Sequence, residues 1–164
     1  MPKSKTASRA APRTSTETRS QVQIVQDAAD AMFRAACECC HQHDRASRIH
    51  AKSRDDEEVR QVQISCAHSD DVLGSLAETY ESVAANFLPP ADDAEWWHRA
   101  NSLWHSSREF VRHIGGCNDS SRQLKTHGPD RLDTLHMEYE LEASAMLAVK
   151  HAAEAYRQTR PSAA

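Results

Sequence analysis

Four long segments of this chain repeat their apolar residues every three or four positions, the spacing of one face of an α-helix. The segments extend over about residues 19–52, 55–87, 91–114 and 129–160. Aromatic residues make up only 5% of the chain, and β-branched residues are also scarce. Because sheets favour those residue types, the pattern predicts an all-α fold.

Helix-starting and helix-breaking residues separate the four segments. The acidic run Asp55–Glu58 is typical of a helix start, where the helix dipole favours negative charge. The Pro89–Pro90 pair ends the second segment, and Pro129 is well placed to begin the fourth. The Gly115–Gly116 pair predicts the end of the third helix. The loops are short or medium in length, so we predict an antiparallel four-helix bundle over residues 19–160.

The composition limits how much of this bundle can be core. Hydrophobic residues make up 39% of the 164 residues, and charged residues 27%. A core this thin predicts that apolar surface is covered by a second copy or by a protein partner. An alternative arrangement has the first two helices protruding as a hairpin that mediates dimerisation. No segment has the roughly 20 apolar residues that span a bilayer, so we predict no membrane association.

The N-terminal residues 1–18 are predicted to be a disordered basic tail. The first 20 residues contain five basic side chains and one acidic side chain, whereas the whole chain has a net charge of −4. Such a tail is typical of a nucleic-acid-binding arm or of an organelle transit peptide. It lacks the apolar stretch of a secretory signal, and we therefore expect a cytoplasmic protein with reduced thiols. The acidic remainder argues against a DNA-binding domain.

The string CECCH contains the motif C-x-x-C-H, which attaches c-type haem. In that interpretation Cys37 and Cys40 bond the porphyrin and His41 ligates iron. Haem attachment normally follows export, and an export signal is not recognised here. The string also lies on the first helix, which is not its place in helical c-type cytochromes. Haem is therefore a minor alternative.

A second interpretation starts from cysteine and histidine residues that the helical periodicity turns inward. Cys40 and His43 share one side of the first helix, and Cys66 lies at a similar height on the second. His136 is the first inward polar residue of the fourth helix. Two thiolates and two imidazoles predict a tetrahedral zinc site, or a copper(I) site. Further ligands or supporting partners are Cys39, His113, Cys117 and Glu140.

These observations leave three functional interpretations open. The first is a non-enzymatic bundle that acts through self-association or protein–protein interaction. The second is a metal-binding bundle that holds zinc, copper or iron in its inward cysteine and histidine layer, although buried cysteine also serves as an ordinary core residue. The third is the haem protein. With four glycines the chain has no phosphate-binding loop, and no catalytic residues can be named, so the sequence argues against enzymatic activity without excluding it.

Overall fold

The structure, a computed structural model, describes residues 15–89, 91–128 and 132–160 of the chain. The side chains of residues 15–20, 93 and 119–127 lie outside the described part. A single 3-10 turn, Ala91–Asp93, precedes the third of four long helices. The helices are α1 (Ser15–Lys52), α2 (Asp56–Ala84), α3 (Ala94–His127) and α4 (Leu132–Thr159). The described residues contain no strand, and the prediction of an all-α four-helix bundle is confirmed.

Neighbouring helices run antiparallel. Two ion pairs demonstrate this for α1 and α4, the first and last helices. Lys150 Nζ lies 2.7 Å from Asp44 Oδ1, while Arg160 Nη2, further along α4, lies 2.7 Å from Asp30 Oδ2, earlier on α1. The most extensive contacts between helices are those within the α1–α2 hairpin and within the α3–α4 hairpin. The two hairpins then pack against each other to close the bundle. Both hairpin loops therefore lie at the same end.

The apolar core fills the end of the bundle opposite those loops, which we call the apolar half. Its side chains come from the N-terminal part of α1, the C-terminal part of α2, the N-terminal part of α3 and the C-terminal part of α4. Fully buried members are Val25, Met32, Leu73, Tyr80, Leu103, Phe110, Val149 and Tyr156. Burying a large apolar side chain contributes roughly 1.5–3 kcal/mol, so this half carries most of the hydrophobic stabilisation.

The start of α2 follows the sequence prediction closely. Asp55 is the N-cap, and its Oδ1 accepts hydrogen bonds from the backbone N–H groups of Glu57 at 2.9 Å and Glu58 at 3.4 Å. These bonds satisfy donors that have no partner inside the helix. At its other end α2 stops at Ala84, a few residues before the proline pair.

The predicted end of α3 at Gly115–Gly116 is wrong, because the helix continues to His127. An interior glycine costs only about 1 kcal/mol relative to alanine, and packing can outweigh that cost. Cys117, one residue on, is buried against the rest of the bundle. Glu138 of α4 lies so close that a Cβ on Gly116 would be 2.7 Å from its carboxylate. Gly128, with φ of 78°, follows the last helical residue in the left-handed conformation typical of helix ends.

The predicted tail over residues 1–18 lies mostly outside the described residues. Its last four residues, 15–18, form the first turn of α1. Within the described chain, no helix combines the length and apolar character needed to cross a membrane.

Candidate metal site

A buried carboxylate lies at the centre of the candidate site. Asp70, 8% exposed, is on the inward face of α2, between Cys66 one turn before it and Leu73 one turn after it. Cys39 and His43 reach it from successive turns of α1. Cys39 Sγ donates a hydrogen bond to Asp70 Oδ1 at 3.2 Å, and His43 Nε2 lies 2.8 Å from the same oxygen. One ligand atom from each of these residues lies within 4.8 Å of the other two.

Burial and charge act together on these three groups. Burial, followed by the neighbouring Asp70 carboxylate, raises the pKa of the Cys39 thiol far above its usual range. Burial lowers the pKa of His43, but the hydrogen bond to Asp70 and the charges of Asp70 and Glu142 outweigh it, so the net shift is upward. The imidazole is also held by Phe110, whose ring centroid lies 5.2 Å away in an edge-to-face arrangement.

His43 and Asp70 form part of the wall of a solvent-open cavity of about 520 Å³. All four helices contribute to this wall. The lining residues with donor atoms are His43, His50, Gln63, Cys66, Asp70, Asp71, Cys117, Asn118, Tyr139 and Glu142. We call the loop end of the bundle around this cavity the polar half.

Three more donors, from α2, α3 and α4, line the same cavity: Cys66, Cys117 and Glu142. Glu142 of α4 places Oε1 3.8 Å from His43 Nδ1, on the opposite ring edge from Asp70. Burial and the hydrogen bond to Glu142 raise the pKa of the Cys117 thiol to about 12. Burial and the charges of Asp70 and Glu142 raise the pKa of Cys66 to about 11. Both thiols therefore remain protonated near neutral pH unless a cation replaces the proton.

Of the four residues predicted as primary ligands, the structure brings two to this cavity. His43 and Cys66 both line it. Cys40 is buried, but it lines a separate groove between α1 and α4 that also contains Lys150. His136 is exposed on α4 and does not line the cavity.

Of the four predicted supporting residues, two lie at Asp70 or the cavity and two do not. Cys39 contacts Asp70 and Cys117 lines the cavity, as described above. His113 is held between Glu109 and Glu138, each 3.8 Å from one of its ring nitrogens. Glu140 is exposed.

Two of the three residues of the haem motif lie on the outer side of α1. Cys37 and His41 are exposed, and with Cys40 they line a groove of about 310 Å³. The remaining lining residues of this groove include the charged side chains of Asp44, Lys150, Glu154 and Arg157.

Sequence reasoning missed Asp70 and Glu142, because it took only cysteine and histidine as primary ligands and placed a different acid of α4, Glu140, among the supporting residues. One signal was present in the sequence. Asp70 falls four residues after Cys66 and three before Leu73, on the apolar stripe of α2, where a solvated acid is not expected. An acid on an apolar stripe indicates a buried charge with a partner.

The donor set matches the chemistry of zinc. Zinc in proteins binds cysteine sulfur at about 2.3 Å and histidine nitrogen or carboxylate oxygen at about 2.0–2.2 Å, which places tetrahedral ligand atoms roughly 3.3–3.7 Å apart. The hydrogen-bonded distances of 3.2 and 2.8 Å around Asp70 Oδ1 are slightly shorter. Side-chain shifts of under about 1 Å would therefore replace these hydrogen bonds with bonds to one ion.

Comparisons of the chain with protein-family models, with curated proteins and with solved structures found no match. Four-helix bundles support many unrelated functions, so the fold alone does not select one. The function is therefore inferred from the chemistry of the site.

Proposed function

We propose that this protein is a metal-binding helical bundle and that Cys39, His43 and Asp70 bind a zinc ion. The observation that supports the proposal is the convergence of a thiol, an imidazole and a carboxylate, with ligand atoms within 4.8 Å of one another. The three side chains come from two helices, and two of them, His43 and Asp70, line a cavity that opens to solvent. The cavity gives an ion a route to the site and supplies its fourth ligand, either water or a further side chain.

The mixture of donor atoms selects among the common ions. Calcium and magnesium prefer sites made of oxygen alone, and copper(I) prefers thiolate and thioether sulfur. Zinc accepts sulfur, nitrogen and oxygen in one tetrahedral shell, as this cluster offers. Iron(II) shares imidazole and carboxylate ligands and is the ion to compete against zinc in a selectivity measurement.

Burying the Asp70 carboxylate lowers the stability of the fold unless a partner compensates its charge. A carboxylate taken out of water loses solvation that hydrogen bonds only partly restore. Asp70 is 8% exposed and lies among cysteine and histidine side chains, where an apolar residue would otherwise extend the core. A bound cation compensates the buried charge directly. We infer a role in metal storage or sensing in a reducing, cytoplasm-like compartment, since all five cysteines carry free thiols.

Matched substitutions on one helix test the proposal. Cys39→Ser and His43→Ala remove proposed ligands, whereas Cys37→Ser and His41→Ala alter exposed neighbours two residues away on α1. Zinc affinity is measured by competition with a chromophoric chelator under reducing conditions, with metal content determined by mass spectrometry. We expect the first pair to lose affinity by at least about 100-fold and the second pair to match wild type. Equal affinity in all four variants would overturn the assignment.

The exposed face of α4 favours a second candidate function, self-association. Met137, Leu141 and Leu147 are 56%, 42% and 53% exposed, and Met137 and Leu141 lie one turn apart on the same side of the helix. An exposed apolar pair of this kind can pack against the same pair of a second copy around a two-fold axis. Sedimentation of wild type and of the Met137→Lys/Leu141→Lys double variant tests this. Leu88→Lys, at a residue 87% exposed elsewhere, is the control. A monomeric wild type would exclude the homodimer.

A further inference from the structure

We propose that Glu142 fixes the imidazole of His43 for zinc, by holding the ring hydrogen on Nδ1 and leaving Nε2 to bind the ion. This inference rests on the proposed function, because it assigns a positioning residue to the site at Cys39, His43 and Asp70. Glu142 lies on α4, whereas these three residues lie on α1 and α2. The inference therefore brings the α3–α4 hairpin into the site.

The imidazole of His43 has a carboxylate at each of its nitrogen atoms. Nε2 lies 2.8 Å from Asp70 Oδ1, and Nδ1 lies 3.8 Å from Glu142 Oε1. The fully buried ring of Phe110 lies edge to face with the imidazole, at an interplanar angle of 79°. Neighbours from α2, α3 and α4 thus surround the ring and define which nitrogen faces which carboxylate.

Only one of these two carboxylates belongs to the ligand group. The ligand atoms of Cys39, His43 and Asp70 lie within 4.8 Å of one another, and among the described residues no other group of three meets this limit. Glu142 approaches the nitrogen on the other edge of the ring. We therefore assign it a role through the His43 ring rather than as a ligand.

The position of the ring hydrogen decides whether zinc can bind. In the unbound protein Nε2 of His43 carries a hydrogen, because the Asp70 carboxylate only accepts hydrogen bonds. Zinc binds a nitrogen lone pair, so the Nε2 proton must leave to solvent. The ring that ligates zinc is neutral and has its one hydrogen on Nδ1, either retained there or taken up from solvent. Glu142 is placed to accept a hydrogen bond from that N–H group.

The contact needs only a small adjustment. Donor and acceptor of an N–H···O hydrogen bond lie about 2.7–3.2 Å apart, so Glu142 Oε1 must approach His43 Nδ1 by roughly 1 Å or less. The Glu142 side chain is 21% exposed and lines the cavity, where it has space to move. Histidine ligands of metal ions generally donate their second N–H to such a partner, and its loss lowers metal affinity about 10–100-fold.

Matched variants of α4 test the inference. Glu138 supplies the control, because its Oε2 lies at the same 3.8 Å from the Nδ1 of another histidine, His113, outside the ligand group. Zinc affinity of reduced, full-length protein is measured by chelator competition. We expect a loss of about 10–100-fold for Glu142→Ala and none for Glu138→Ala. Glu142→Gln, whose amide oxygen still accepts a hydrogen bond, should lie in between. Far-UV circular dichroism verifies that each variant keeps its helices.

Nitrogen-15 NMR of the histidine rings gives a measure that a general loss of stability would not change. In zinc-loaded wild type we expect His43 to bind zinc through Nε2 and to carry a slowly exchanging hydrogen on Nδ1. In Glu142→Ala at saturating zinc, that hydrogen should exchange faster with solvent, while the His113 signals stay unchanged. The His43→Ala variant assigns the signals.

The outcomes separate this inference from the proposed function. Wild-type affinity in Glu142→Ala, an equal loss in Glu138→Ala, or zinc bound through His43 Nδ1 would overturn the role of Glu142 and leave the zinc site intact. Zinc affinity that Cys39→Ser and His43→Ala do not change would overturn the zinc site and the inference with it. No bound zinc in folded wild type would also overturn both.

Discussion

The two halves of the bundle use the same four helices for different purposes. In the apolar half, side chains such as Met32, Leu103 and Tyr156 are fully buried and fill the space between the helices. In the polar half, Asp70 and Glu142 face a cavity that the helices do not fill. A continuous helix can therefore stabilise the fold along one part of its length and present ligands along another.

This division predicts an uneven distribution of stability. Hydrophobic burial is the dominant favourable contribution to folding, and the apolar half holds most of it. The polar half relies on hydrogen bonds and on ion pairs, whose net contributions are small. Without a bound ion, the loop end should therefore open at lower free energy than the opposite end.

The largest expected effect is the loss of a core side chain in the apolar half. Leu103→Ala leaves a cavity at a fully buried position and should lower the free energy of unfolding by about 2–5 kcal/mol. Cys66→Ala, beside the existing cavity, should cost under about 1 kcal/mol. Urea unfolding with a chelator present measures both. Equal costs would show that the two halves are not energetically distinct.

Bound zinc should then reduce the difference in stability between the polar half and the apolar half. An ion that binds only the folded protein adds about 2.7 kcal/mol when its free concentration is 100 times the dissociation constant. We expect this increment in wild type and in Leu103→Ala, but not in His43→Ala. Thermal unfolding with and without zinc provides the measurement. An equal gain in His43→Ala would mean that zinc binds elsewhere.

The pH dependence of zinc affinity tests whether a thiol and an imidazole of the polar half bind the ion. Burial and the neighbouring Asp70 carboxylate raise the pKa of the Cys39 thiol far above its usual range, so this thiol is protonated at neutral pH. His43, with its raised pKa, gains a proton more readily as pH falls. Protons therefore compete with zinc, and affinity should fall about tenfold per pH unit for each proton displaced. Chelator competition from about pH 8 to 6 measures the slope, and a flat profile would contradict thiolate ligation.

The smallest expected effect concerns the glycine pair of α3. A Cβ at Gly115 meets no atom within 4 Å, so Gly115→Ala should stabilise the helix by roughly 0.5–1 kcal/mol. Gly116→Ala should gain less, because the new Cβ displaces the Glu138 carboxylate. Urea unfolding of the two variants side by side measures the difference. A larger gain for Gly116→Ala would show that the approach of Glu138 is unimportant.

The fold was largely predictable because periodicity and capping act locally. The acidic start of α2 follows from N-cap chemistry at Asp55, and four periodic segments became four helices. The end of α3 was not predictable in the same way. Local rules favour a stop at Gly115–Gly116, whereas the helix persists through contacts with α4 that only the tertiary structure provides.

The candidate site was predictable only in part. Counting residues from the α1–α2 turn placed His43 and Cys66 at one height, and both line the cavity. The rotation of α4 could not be fixed, because Leu, Met and Tyr side chains occur around its whole circumference and leave no clear stripe. His136 was therefore assigned to the inward face that Glu142 occupies.

The ion pair between Asp30 and Arg160 has a practical consequence for engineering. It holds Asp30, 15 residues into α1, against the end of α4, at the end of the bundle remote from the cavity. A linker that spans the roughly 22 Å of α1 before Asp30 could join the start of α1 to the end of α4. The chain could then be reopened at residues 53–55, which connect α1 to α2. In such a circular permutant the new termini flank the ion-binding end. Fluorophores attached there would convert the capture of a metal ion into an optical signal.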